Sequence, residues 1–168
     1  MPERGRPRRY CRSRGALSGD GRALTLLVVD TNVLIYAADS NSPFHLSARG
    51  WLERQRVRPD AWYTTWPIVY EFMRVTTHAR VLRKPWTAHQ AWSFVQALLA
   101  SPGLGVLTQT GRHADVAAEV IRELSHLAGN LMHDMHTAIL MREHGIRRIV
   151  THDMDFHRFK FLEVVGPG

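Results

Sequence analysis

What most constrains the fold of this chain is a six-residue run at positions 24–29, Leu-Thr-Leu-Leu-Val-Val, that stops abruptly at Asp30. Its apolar and β-branched character is continuous rather than alternating, as required of a strand buried on both faces, and such strands belong to parallel sheets covered by helices. The rest of the chain keeps the same rhythm. Residues 31–38 have helical spacing, and Ser42-Pro43 opens a second helix with apolar positions at Leu46, Trp51 and Leu52. Residues 61–65 read as a second strand, and Pro67 suits the first turn of the helix that follows through Val75. A long helix is expected over 88–99, stopped by Pro102-Gly103 ahead of a third strand near 105–107. Helices over 114–124 and 132–144 follow, the latter ended by Gly145, then a fourth strand at 149–151 and a fifth within 161–165. Strand and helix alternate throughout, which predicts a three-layer α/β/α fold around a central parallel sheet of four to five strands.

The formal charge of +7 suggests a generally basic nucleic-acid binder, but its distribution corrects that impression. Residues 1–23 hold seven arginines against Glu3 and Asp20, so +5 of the total lies there and only +2 in residues 24–168. With Pro2, Pro7 and four glycines, this segment has too little apolar surface to order itself, and is expected to be a disordered basic tail or the product of a start placed too far upstream. Its arginines could touch RNA phosphates. Residues 24–168 are expected to form one domain. No run approaches the roughly 18 apolar residues of a membrane span, and no apolar core marks a signal peptide, so the expected location is cytoplasmic. The single cysteine, Cys11, lies in the arginine-rich segment and is expected to be incidental.

In parallel sheets of this kind ligands bind beyond the carboxyl ends of the strands. Asp30 ends the first strand, Asp153 follows the fourth, and Glu71 and Asp134 fall near the starts of helices, where the positive end of the dipole favours an ionised carboxylate. Four acids thus have reason to meet at one edge. Clustered carboxylates repel unless some hold protons or a cation intervenes. An all-oxygen donor set suits Mg²⁺ or Mn²⁺, and the matching chemistry is phosphodiester hydrolysis by an activated water, with no serine, cysteine or histidine nucleophile required.

The segments bearing these acids resemble the four motifs of the VapC-type toxins, a PIN-domain ribonuclease family. Residues 28–37, Val-Val-Asp-Thr-Asn-Val-Leu-Ile-Tyr-Ala, are similar to the opening motif, and 70–75, Tyr-Glu-Phe-Met-Arg-Val, to the second. Residues 129–134, Gly-Asn-Leu-Met-His-Asp, carry the third, and 151–156, Thr-His-Asp-Met-Asp-Phe, the fourth. The resemblance spans nearly everything from Leu26 to Val165. It implies that Asp30, Glu71, Asp134 and Asp153 are the catalytic and metal-binding residues. It also implies an endoribonuclease that cuts structured RNA, usually works as a dimer, and is restrained by a VapB-like antitoxin. A nuclease of RNA processing without an antitoxin, or a non-cleaving PIN-like binding domain, are the competing readings.

Around the acids, Thr31, Asn32 and Thr151 are candidates for supporting the site, or are ordinary turn residues. Asp155 competes with Asp153 for the fourth acidic position. Its other role would be to cap a short turn at 156–159 or to support the site. Ten histidines raise the question of zinc, but His133 and His136 flank Asp134 without a cysteine partner or an intervening glutamate, so the pattern does not match. Trp51, Trp62, Trp66, Trp86 and Trp92 have spacing that suits the core or a dimer interface better than base stacking.

Overall fold

A computed structural model describes residues 26–124, 129 and 131–168. The basic segment 1–23, with Cys11, and the first two residues of the opening apolar run lie outside them. Strands β1 (Leu27–Val29), β2 (Trp62–Thr65), β3 (Leu104–Leu107), β4 (Arg148–Val150) and β5 (Glu163–Val165) form one sheet in the order β3-β2-β1-β4-β5. Every pairing is parallel, and Leu27 stands opposite Trp62 on one side and Arg148 on the other. Helices α1 (Thr31–Ala38), α2 (His45–Val57), α3 (Trp66–Thr76) and α4 (Ala88–Leu99) pack in succession, α1 touching both α2 and α3, and α3 touching α4. Helices α5 (His113–Glu123) and α6 (Leu131–Glu143) form a second group. The result is the three-layer α/β/α arrangement.

Burial explains the central strands. Val28, Val29, Trp62, Ile149 and Val150 are almost entirely removed from water, in one core with Val33, Phe72, Leu98, Leu140 and Phe156. Local signals fix the helix ends. Thr87 and Gln90 exchange side-chain to backbone hydrogen bonds in a capping box at the start of α4. Gly145, at φ +68°, takes the left-handed conformation that ends α6, and Ile146 N–H returns to the Met141 carbonyl at 2.9 Å.

Two expectations are corrected. Helix α2 starts at His45 rather than at Ser42-Pro43, because that stretch is spent on turns, with Ser42 N–H on the Asp39 carbonyl and His45 N–H on the Ser42 carbonyl. The Phe44 ring is then free to stack on His152 at 4.3 Å. Strand β4 ends at Val150, leaving Thr151 just past it, where its N–H bonds the Val165 carbonyl and its hydroxyl turns to the site.

Candidate active site

The sheet order changes direction at β1, whose successor in sequence, β2, lies on one side while β4 lies on the other. The crevice beyond the carboxyl ends of β1 and β4 is the switch point at which such sheets bind ligands. Asp30 leaves β1 there, its N–H still bonded to the Val150 carbonyl at 3.0 Å. One carboxylate oxygen, Oδ1, accepts the Thr31 N–H at 2.7 Å and caps α1. The other, Oδ2, accepts from Asn32 Nδ2 at 2.8 Å and from the Thr151 hydroxyl at 2.7 Å. Three donors favour the ionised form, yet burial outweighs them. With added repulsion from Asp153 and Glu71, the Asp30 pKa is pushed up to about 6.

The residues flanking Asp30 tie β1 to the segment after β4. Asn32 Nδ2 also donates to Thr151 Oγ1 at 2.7 Å, and Asn32 Oδ1 accepts the His152 N–H at 3.2 Å. Thr151 Oγ1 in turn accepts the Asp153 N–H at 2.9 Å. Thr31 reaches the other way, its hydroxyl donating to Glu71 Oε2 at 3.0 Å. Thr31, Asn32 and Thr151 therefore each bond an acid or the backbone that carries one.

Glu71 is the sixth residue of α3 and not in its first turn, so the dipole advantage expected for it is lost, since that effect fades within one turn. The Thr31 hydroxyl serves as its donor instead, and Arg74 approaches it only at 3.5 Å with both side chains well exposed. Asp134 does lie in the first turn of α6. Even so its pKa is raised to about 7, first by burial and then by the charges of Asp30, Asp153, Glu71 and Asp155. A dipole contribution of about 0.3–1 kcal/mol is too small to offset these.

Asp153 caps the short 3₁₀ turn Met154–Arg158 by accepting the Asp155 N–H at 2.8 Å. That corrects the capping role expected for Asp155. The turn begins two residues earlier than the sequence suggested, which leaves Asp155 inside it, paired with Arg158 Nε at 3.0 Å.

Glu71, Asp134 and Asp153 line a cleft of about 690 Å³ together with Pro67, Tyr70, Arg74 and His133, and Asp30 bears on it electrostatically from its buried position. Among the described residues, no group of three or more His, Cys, Asp or Glu side chains is arranged so that it could together hold a metal ion. A closed zinc cage is the kind of site that needs such an arrangement. Mg²⁺ needs less, because it binds through one or two carboxylates and keeps several waters. An all-oxygen set in which Asp30 and Asp134 have raised proton affinity fits a hydrated Mg²⁺ or Mn²⁺.

Sequence reasoning passed over Tyr70 and Arg74 as site residues, and beyond zinc it left open whether a histidine such as His133 binds phosphate or shuttles a proton. The available signal was the spacing of Trp66, Tyr70 and Arg74, which puts all three on one stripe of α3. His152 does not enter the cleft lining; it packs between Phe44 and Tyr36. Trp51 and Trp62 pack edge to face in the core, Trp86 and Trp92 lie against it, and Trp66 is 37% exposed.

A doubly wound parallel sheet with an acidic cleft at its switch point places the chain among the open α/β folds, and comparison with known proteins narrows the class. The PIN domain family model matches residues 27–162, and the chain belongs to that family. It is 31% identical over 138 residues to Ribonuclease VapC48 of Mycobacterium tuberculosis, covering 82% of this chain and 94% of the relative. Among solved structures it is similar to VapBC2 from Rickettsia felis bound to a DNA fragment from their promoter, with a TM-score of 0.61 and 16% identity over 84% of this chain and 98% of the other. It is also similar to VapC20 of Mycobacterium tuberculosis, described as a sarcin–ricin loop cleaving toxin, with a TM-score of 0.58 and 20% identity over 82% and 98%. Among the described residues, no helix is long and apolar enough to cross a membrane.

Proposed function

We propose that this chain is a divalent-metal-dependent endoribonuclease and the toxin of a toxin–antitoxin pair. The observation that carries the reading is the gathering of Glu71, Asp134 and Asp153 on one cleft at the switch point with Asp30 buried beside it, where burial and mutual repulsion raise the proton affinity of Asp30 and Asp134. Groups that resist sharing negative charge are set to accept a cation. A bound Mg²⁺ or Mn²⁺ would supply a water acidic enough to attack phosphorus and positive charge for the departing oxygen.

The protein's own part is to place the acids. Asn32 and Thr151 fix the Asp30 carboxylate and the Asp153 backbone to each other, and Thr31 orients Glu71. Rigid donors of this kind cost no reorganisation when the reaction occurs. Arg74 and His133 stand on the cleft wall where a substrate phosphate would need cationic or hydrogen-bonding partners. That the relatives are named as ribonucleases, and one as a loop-cleaving toxin, supports RNA as the substrate. The VapBC2 complex supports a VapB-like protein as antitoxin, and a homodimer is the working form we propose.

The test is cleavage of total RNA by the purified protein in Mg²⁺ or Mn²⁺ and in excess chelator. Cutting that needs the metal is expected. Cutting that persists in chelator, or none under any condition, would contradict the reading.

A further inference from the structure

One wall of the cleft is unlike the acidic one. Trp66, Tyr70 and Arg74 follow each other at four-residue intervals along α3, so they lie on one stripe of its surface. Tyr70 and Arg74 line the cleft, as does Pro67 between the two rings in sequence. The Trp66 and Tyr70 rings have centroids 6.0 Å apart and are tilted by 34°. Tyr70 is 62% exposed, a large aromatic face held in water at the mouth of a polar cleft. Arg74 is held only loosely, its contact with Glu71 being long and solvent-screened, so its guanidinium is available.

We propose that Trp66, Tyr70 and Arg74 bind a single-stranded stretch of RNA entering the cleft, the two rings stacking on unpaired bases and the guanidinium contacting a phosphate. The proposal rests on the ribonuclease reading and names the form of substrate. Aromatic faces in series with a cation are the means by which proteins hold single strands, whereas bases within a duplex are already stacked and paired. Continuity with the acids favours this occupant over a second copy of the chain. The strip leads directly to Glu71, Asp134 and Asp153. A self-complementary seam across it would bring a second set of acids towards the first, while a nucleotide on Tyr70 carries its phosphate towards the place where a cation is expected.

The experiment measures fluorescence anisotropy of a labelled short single-stranded RNA, and of an abasic strand of equal length, in chelator. Wild type is compared with W66A, Y70A, Y70F and R74A. Y70A and W66A should weaken binding of the base-bearing strand by roughly 5- to 100-fold and leave the abasic strand unchanged. Y70F should bind as wild type, and R74A should weaken both strands. Equal RNA binding by wild type and Y70A would overturn the proposal, as would an equal loss on the abasic strand. So would a Y70A protein whose RNA affinity is unchanged while light scattering shows a dimer turned monomer, which would make the strip a subunit seam. The two readings fail separately. Selective loss in Y70A beside a wild type that never cleaves RNA sinks only the ribonuclease, and metal-dependent cleavage with unchanged Y70A binding sinks only the strip.

Discussion

Helix α6 carries an acid near each end, and the two have opposite fates. Asp134, in the first turn, sits where the helix dipole favours its charge, yet its pKa is raised to about 7. Glu143 ends the helix, where the dipole opposes a negative charge, yet it is held below the ordinary carboxylate range. Burial alone would raise Glu143, since its side chain is excluded from solvent, but donors surround it. His113 Nδ1 lies 2.7 Å from Oε2, and the Thr110 N–H and hydroxyl donate to Oε1 at 3.0 and 2.6 Å. The field around Asp134 instead consists of other acids. Donors overcome burial at Glu143, whereas at Asp134 burial leads and the neighbouring acids add to it, and both outcomes override a dipole worth about 0.3–1 kcal/mol. Glu143 is a completed brace, pinning the loop between β3 and α5 to the end of α6. Asp134 instead adds its charge to those of Asp30, Glu71, Asp153 and Asp155.

Removing one acid at a time separates the two ends. Asp134→Asn keeps the side-chain shape and should lower metal-dependent RNA cleavage by about 100-fold or more, the several kcal/mol that a catalytic ion supplies. Near-normal cleavage by this variant would remove Asp134 from the site. Glu143→Ala should instead unfold more easily, by about 2 kcal/mol in chemical denaturation, because Thr110 and His113 lose their acceptor. Below its melting range it should still cleave RNA within a few-fold of wild type. A Glu143→Ala protein as stable as wild type but inactive would reverse the roles assigned to the two acids.

The sequence makes some of these features visible for physical reasons. Strands buried on both faces leave continuous apolar runs, so β1 stands out, and acids at strand ends announce a switch-point site because little else explains a carboxylate beside such a run. Helix α4 is bounded by Thr87 and Gln90, a capping pair that is local in sequence. Other features depend on contacts that no local pattern encodes. Glu143 meets Thr110 and His113 across some thirty residues, and nothing near it marks it as a brace. The turns that delay α2 serve Phe44's packing on His152, more than a hundred residues away in sequence. Trp66 and Tyr70 could equally have been core residues, and only their exposure distinguishes them.

A thermal melt of wild type and Asp134→Asn, across pH and with or without Mg²⁺, tests the central claim most directly. The folded-state pKa values of Asp30 and Asp134, about 6 and about 7, lie above the ordinary 3.8, so the folded protein binds more protons than the unfolded chain between those limits. Metal-free stability should therefore fall as pH rises from about 4 to about 7, with no penalty below that window and the full penalty above it. Asp134→Asn should be more stable than metal-free wild type by about 1 kcal/mol above pH 7, a value reduced for solvent screening of a half-exposed side chain, and should equal it near pH 4. Added Mg²⁺ should raise the wild-type Tm more than that of the variant, since a ligand stabilises only the state that binds it. Two proteins with the same pH profile and the same Mg²⁺ shift would contradict the claim that these acids form one cation site.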